Sequence, residues 1–165
     1  VFGVEIQPRL ITEAERKGYA VSDNIENFEG EKFDIIIALD VLEHLAEENL
    51  RKFLHSVNEN MTVNGMFIAR FPNCQSPAGL YNQFGDHTHL QMLSAPILSS
   101  YLTDYRLKIF DIRKGRSNAE YEPKLVRRYL KFYVKLLCEK IVKIALGFSS
   151  NTLAANILVY IKRVP

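Results

Sequence analysis

The segment that most constrains the fold is residues 33–45, which read FDIIIALDVLEHL. It begins with an apolar run rich in β-branched residues and without alternating polar positions, a pattern that predicts a strand buried on both faces of a sheet. The polarity then changes abruptly, because Asp40, Glu43 and His44 follow within five positions. Ligands of open α/β sheets bind just beyond the carboxyl ends of the strands. The segment therefore places three ionisable groups where a functional site is expected.

The rest of the chain alternates between predicted strands and helices. The strands are predicted at 1–6, 19–21, 33–39, 66–71, 107–112 and 156–162, and the helices at 9–17, 47–61 and 94–102. A turn is predicted at Asn64-Gly65 and a long polar loop at 74–92. This alternation predicts a mostly parallel sheet with helices on both faces. The last strand is expected to be antiparallel, because no ordinary crossover precedes it.

Composition and charge narrow the class of protein. A chain of 165 residues predicts one domain, 1–165, and a net charge of +2 argues against a general polyanion binder and so against a nucleic-acid partner. Cys74 and Cys138 are isolated, with no CxxC pair and no secretory segment, which predicts reduced thiols in a cytoplasmic protein. The apolar runs are too short to predict a transmembrane helix.

Residues 116–150, before the last strand, have a different character. Apolar residues and basic residues recur there at spacings of three and four on different faces, which predicts a helical insertion within the domain. Such a segment has two interpretations. The basic face could be exposed to solvent while the apolar face packs on the domain, or the segment could contact a membrane surface or an acidic partner.

This order of elements, with these residues, resembles the class I S-adenosylmethionine-dependent methyltransferases. The fourth strand of that family often reads FDxIxxxxVLEHL, which residues 33–45 fit, and the region GMFIARFPN fits its fifth strand. The resemblance implies an α/β, Rossmann-like sheet and S-adenosylmethionine as the cofactor. It implies that Glu5 holds the ribose, since a carboxylate accepts two hydroxyl donors at once. The cofactor-binding positions implied are Glu5, Ile6, Asp23, Asn24, Ile25, Leu39, Asp40 and His44.

The loop QSPAGLYNQFGDHTHLQMLSAPILSSYL resembles that of methyltransferases found in surface-polysaccharide biosynthesis, through Gly85, Asp86, Thr88 and His89. This resemblance implies methyl transfer to a hydroxyl of a small-molecule or lipid-linked sugar acceptor. It makes His89 the candidate base, with Asp86 in support, because imidazole exchanges protons near neutral pH. His87 is a further catalytic candidate. A lipid-linked acceptor also fits a basic insertion that contacts the inner membrane surface.

Residues 40–44 leave several interpretations open. Glu43 and His44 could fix the loop and the following helix, or form a wall for the sulfonium and substrate. The stretch also resembles ubiquinone-biosynthesis O-methyltransferases, in which an acid and a Glu-His pair bind a divalent ion. Asp40, Glu43 and His44 would suit such an ion. The sequence alone assigns no residue to a metal.

The Gly-rich cofactor loop of the family, GxGxG after the first strand, does not occur in the sequence. We therefore expect that the chain lacks the first strand, which in the family lies at the centre of the sheet. This leaves two alternatives to the enzyme: a non-catalytic, methyltransferase-like interaction domain, and a nicotinamide-dependent Rossmann enzyme, which also uses an acid after its second strand. The VLEHL segment and the antiparallel last strand argue against the nicotinamide enzyme.

Overall fold

The computed structural model describes residues 1–28, 30–115, 133–134, 136–138, 140–141, 144–145 and 154–164. Its strands are β1 (Phe2–Val4), β2 (Ala20–Ser22), β3 (Phe33–Leu39), β4 (Met61–Pro72), β5 (Leu107–Lys114) and β6 (Asn156–Arg163). Its helices are α1 (Pro8–Arg16), α2 (Glu47–Asn60), α3 (Pro77–Gly85) and α4 (Ala95–Thr103), with short 3-10 helices at Ile25–Phe28 and Leu42–His44.

The strands form two sheets. β1 pairs in parallel with β2, and a second sheet has the order β3-β4-β6-β5. β3 and β4 are parallel, whereas β6 runs antiparallel to both β4 and β5. The predicted α/β class and the antiparallel last strand are confirmed.

Three aromatic rings join the two sheets. The ring of Phe2, in β1, lies 5.3 Å from that of Phe28 and 5.2 Å from that of Phe33, the first residue of β3. All these pairs are edge-to-face, a geometry that stabilises aromatic clusters. The starts of β1 and β3 therefore meet at this aromatic cluster.

The core lies between the second sheet and helices α2 and α4. The apolar stripe of α2 follows the spacing of three and four that predicted this helix, so one face is buried. Each fully buried side chain of this size contributes about 1.5–3 kcal/mol to folding. The principal core residues are Leu50, Leu54 and Val57 of α2, Leu98 and Leu102 of α4, and Phe67, Phe71, Val159 and Ile161 of the sheet.

The opposite face of β3 is exposed. Ile36 and Ala38 face the core, but Ile35 and Ile37 are 60% and 59% exposed. The prediction that β3 is buried on both faces is therefore wrong for this structure. An apolar run indicates that both faces of the strand are hydrophobic, but it does not show which face is covered. In this structure β3 is an edge strand of its sheet.

Asn64-Gly65 does not form the predicted turn, because both residues lie inside β4. The register between β3 and β4 shifts between Phe33 and Ile35, opposite this segment. A Cβ at Gly65 would lie 3.0 Å from the carbonyl oxygen of Phe33. Glycine is thus required at position 65 because the two strands approach closely at an irregularity in their pairing. A bulge or close backbone approach of this kind is a common reason for glycine inside a strand.

Helix α3 lies within the segment predicted as a loop. Pro77 opens it in the first turn, where a missing N–H costs nothing. The helix packs against the end of β4, and a Cβ at Gly79 would collide with the carbonyl oxygens of Asn73 and Ala155, the second at 2.8 Å. This contact positions the loop that follows α3.

Gly79→Ala is expected to lower the free energy of unfolding by about 1–3 kcal/mol, because backbone carbonyls must move to admit the methyl group. Gly85→Ala is the matched control, since a Cβ at Gly85 meets no atom within 4 Å. The control should keep or slightly raise stability. Chemical denaturation of both variants measures the difference, and equal stability of the two would contradict the close packing of α3.

The predicted insertion, residues 116–150, lies mostly outside the described residues. Those described between 133 and 145 have a helical backbone and are exposed. A search of the described residues finds no helix that is both long enough and apolar enough to cross a membrane.

Candidate active site at the carboxyl ends of the strands

The carboxyl ends of β1 and β2 lie side by side. The N–H of Glu5 donates to the carbonyl of Ser22 over 2.9 Å. The Glu5 side chain is half-buried, and its Oε1 accepts the N–H of Gln7 at 2.9 Å. A carboxylate offers about four lone-pair sites, so acceptor positions remain for hydroxyl groups. Ile6, the next predicted residue, is 79% exposed.

The turn after β2 is held by its own side chains. Nδ2 of Asn27 donates to Oγ of Ser22 at 2.6 Å and to Oδ1 of Asp23 at 3.1 Å. Oδ1 of Asn24 accepts the N–H two residues further on at 3.1 Å. Asp23 and Asn24 are exposed, whereas Ile25 is half-buried and packs against the core. The three predicted cofactor-binding residues after β2 thus form one ordered turn next to the end of β1.

The end of β3 carries an ion pair that the sequence did not predict. Both carboxylate oxygens of Asp40 contact the guanidinium of Arg70, with Nε 3.0 Å from Oδ1. The hydrogen bond to this carboxylate raises the pKa of Arg70 above its ordinary value. Asp40 has φ 55°, a left-handed conformation that Asp tolerates better than most residues. Leu39 beside it is partly exposed, so these two predicted cofactor-binding positions present an apolar side chain and a carboxylate neutralised by Arg70.

Glu43 is the buried carboxylate of the site, with 1% of its surface exposed. Its carbonyl accepts the N–H groups of Leu90 at 2.7 Å and Gln91 at 3.0 Å, which joins the 3-10 helix Leu42–His44 to the loop after α3. Burial raises the pKa of the Glu43 carboxyl. Among the described residues, Oε2 of Glu43 has no hydrogen-bond partner. Such an unpaired buried acceptor is costly and rare in folded proteins.

Thr88 links His44 to the loop. Nδ1 of His44 lies 2.9 Å from Oγ1 of Thr88 and 3.3 Å from its carbonyl oxygen. Oγ1 of Thr88 donates to Oδ1 of Asp86 at 2.6 Å, so it is left to accept from His44. The hydrogen bonds from Thr88 lower the pKa of Asp86 below its ordinary value. This chain of bonds assigns the hydrogen to Nδ1 of His44 and leaves its Nε2 as an acceptor.

His89 is held in the same way. Its Nδ1 lies 3.1 Å from the carbonyl oxygen of Gln83, so Nδ1 donates, and in the neutral ring Nε2 carries the lone pair. Nε2 lies 3.9 Å from Oδ2 of Asp86, and the side chain is only 9% exposed. The ring of His89 is 4.6 Å from that of His44. His87 is exposed, and the described contacts of this cluster do not include it.

The structure brings together residues that are far apart in sequence. His44 and His89 were each predicted as site residues, but not as neighbours. The sequence analysis did not predict Arg70 or Gln83. Arg70 reaches Asp40 because the pairing of β3 with β4 places it opposite Leu39. Gln83 contacts His89 through its main-chain carbonyl, which any residue could supply. No feature of the sequence predicts either contact.

A metal site built from Asp40, Glu43 and His44, one of the open alternatives, does not match this geometry, because Arg70 occupies both oxygens of Asp40. Ligand atoms of Glu43, His44 and His89 instead lie within 4.8 Å of one another. The loop histidine, rather than Asp40, therefore completes the cluster.

Comparisons with known proteins agree with this fold. Residues 1–69 match the family model described as a methyltransferase domain. No curated protein matches the chain significantly. The match agrees with the predicted resemblance to methyltransferases over those 69 residues.

Solved methyltransferases share the fold. A SAM dependent methyltransferase from Archaeoglobus fulgidus is 21% identical with a TM-score of 0.64, and covers 98% of this chain with 75% of its own length aligned. An S-adenosylmethionine-dependent methyltransferase from Clostridium acetobutylicum is 14% identical, with a TM-score of 0.63 and coverages of 99% and 75%. Magnesium protoporphyrin IX methyltransferase from Synechocystis, solved with bound SAH, is 13% identical, with a TM-score of 0.61 and coverages of 99% and 64%.

Proposed function

We propose that this protein transfers a methyl group from S-adenosylmethionine to a hydroxyl of a sugar or polysaccharide precursor. The observation that carries the proposal is the cluster of Glu43, His44, Asp86 and His89 beyond the end of β3, in which Thr88 links His44 to Asp86 and the two imidazole rings are in contact. It combines the VLEHL segment with the loop that resembles those of surface-polysaccharide methyltransferases. A hydroxyl acceptor has to lose a proton during transfer, and this cluster contains a ring nitrogen free to take it.

The residues near β1 and β2 suit the cofactor. The Glu5 carboxylate keeps acceptor positions for the two ribose hydroxyls, and the turn of Asp23, Asn24 and Ile25 offers polar groups and an apolar side chain for adenine. Leu39 and Asp40 would line the reactive end, with Arg70 balancing the charge of Asp40. When bound, S-adenosylmethionine supplies an activated methyl group on its sulfonium.

The protein's own task is to align the acceptor and to remove its proton. Nε2 of His89 takes the proton, while the carbonyl of Gln83 fixes the ring through Nδ1–H. The imidazolium that forms is stabilised by Asp86, whose carboxylate lies 3.9 Å away and stays ionised because Thr88 lowers its pKa. Holding the acceptor oxygen in line with the methyl group accounts for the rest of the rate enhancement.

A lipid-linked acceptor is supported by the segment before β6. Tyr133, Leu137, Ile141 and Ile144 recur at spacings of four and three, have a helical backbone and are 55–84% exposed. An exposed apolar face among basic residues suits contact with an anionic membrane surface. We therefore extend the proposal to a cytoplasmic enzyme that works at the inner membrane surface.

The test is transfer of labelled methyl from S-adenosylmethionine to a panel of free, nucleotide-linked and lipid-linked sugars, with amines and carboxylic acids as comparison acceptors. We expect label on a sugar hydroxyl. Label found only on amines or carboxylates would overturn the acceptor class. No transfer to any acceptor, despite cofactor binding, would favour the non-catalytic interaction domain.

A further inference from the structure

We propose that Glu43, His44 and His89 form a binding site for a divalent transition-metal ion, with Zn²⁺ as the representative. One carboxylate oxygen and one ring nitrogen of each histidine lie within 4.8 Å of one another. The three residues come from the 3-10 helix Leu42–His44 and from the loop after α3, which main-chain hydrogen bonds hold together.

Glu43 gives the first independent support. Its side chain is almost completely buried, and among the described residues Oε2 has no hydrogen-bond partner. A buried carboxylate oxygen without a donor is a large loss of solvation unless a cation or another donor compensates it. A metal ion bound between the three side chains would satisfy this oxygen.

The histidines give the second support. Metal-binding histidines almost always donate their other ring N–H to a nearby acceptor, which fixes the tautomer and the ring orientation. Here Nδ1 of His44 donates to Thr88, and Nδ1 of His89 donates to the carbonyl of Gln83. Both rings therefore present Nε2 as an unprotonated ligand, with the supporting hydrogen bonds already in place.

The ligand chemistry selects the ion. Two imidazoles and one carboxylate suit Zn²⁺ and similar transition-metal ions, whereas Mg²⁺ and Ca²⁺ prefer oxygen ligands. Two ligands bonded tetrahedrally at about 2.1 Å lie about 3.4 Å apart, so the present separations need to close by at most about 1.4 Å.

Three protein ligands leave a fourth position open, as in catalytic rather than structural zinc sites. An acceptor hydroxyl in that position would be acidified by the ion, whereas in the ion-free site Nε2 of His89 takes the proton. The inference does not rest on the proposed function, because ion binding is measured without cofactor or acceptor.

The test is calorimetric titration of the metal-free chain with Zn²⁺, together with the visible absorption of bound Co²⁺. We expect one ion per chain and a tetrahedral cobalt spectrum. Glu43→Gln, His44→Ala and His89→Ala should each weaken binding at least tenfold. The matched controls are Glu48→Gln and His55→Ala, which alter an exposed Glu and an exposed His of α2 and should bind as the unmodified chain does.

Thr88→Val tests the same site without removing a ligand. It removes the hydroxyl that holds His44 and should weaken zinc binding about 10-fold or more while the fold, measured by circular dichroism, is kept. The proposal is overturned if the chain binds no zinc, or if the ligand variants bind it as tightly as the controls.

Discussion

His89→Gln is expected to lower kcat for methyl transfer to a hydroxyl acceptor by about 10²–10⁴-fold, the usual contribution of a positioned general base. Gln has a similar reach and can still donate to the carbonyl of Gln83, but it cannot take a proton at the position of Nε2. Because the described contacts of His89 are with Gln83, Asp86 and His44 rather than with Glu5, which is assigned to the ribose, affinity for S-adenosylmethionine should stay within about twofold. Single-turnover kinetics with labelled cofactor separate these two quantities.

His55→Gln is the matched control for this prediction, since His55 is exposed on α2 and lies outside the cluster. It should leave kcat unchanged. If His89→Gln lowered cofactor affinity and thermal stability together, with kcat at saturation preserved, His89 would be a structural residue and the assigned base would be wrong.

Glu5→Ala is expected to weaken S-adenosylmethionine binding by about 10- to 150-fold. Each charge-assisted hydrogen bond to a ribose hydroxyl contributes about 1.5–3 kcal/mol, and this range corresponds to the loss of one such bond. Folding should change less, because the visible partner of the carboxylate is the single N–H of Gln7. Calorimetry of cofactor binding and thermal unfolding of the same preparation measure the two effects.

Glu13→Ala provides the comparison for Glu5→Ala. Glu13 lies on α1 in an exposed ion pair with Lys17, 2.7 Å apart, and exposed pairs of this kind contribute little. Its removal should leave cofactor affinity unchanged. Equal losses in the two variants would show a general effect of charge rather than a ribose contact at Glu5.

The elements of the fold could be predicted because their signals are local. The stripe of α2 and the apolar run of β3 depend only on nearby residues, and the bounds found are close to those predicted. Asn64-Gly65 was misread for the same reason. A glycine that serves a turn and one that serves a close strand approach look alike until the pairing of β3 with β4 is known.

The candidate site was predicted in its parts but not in its arrangement. The VLEHL segment and the Asp-x-Thr-His loop each pointed to function, yet only the main-chain bonds from Leu90 and Gln91 to Glu43 bring His44 next to His89. The partner of Asp40 could not be predicted either, because a register between strands some 30 residues apart is a property of tertiary packing.

The exposed face of β3 shows a further limit of reasoning from pattern. Its apolar residues indicate that water is disfavoured on both sides, and Ile36 and Ala38 are covered as expected. Which segment covers Ile35 and Ile37 is a question of tertiary arrangement that hydrophobicity alone does not answer.

The most direct test of the central claim is calorimetric binding of S-adenosylmethionine to this chain, with NADH as the competing cofactor. The account predicts one binding site for S-adenosylmethionine, displaced by S-adenosylhomocysteine, and no binding of NADH. Binding of NADH without binding of S-adenosylmethionine would contradict the account and favour the nicotinamide-dependent enzyme.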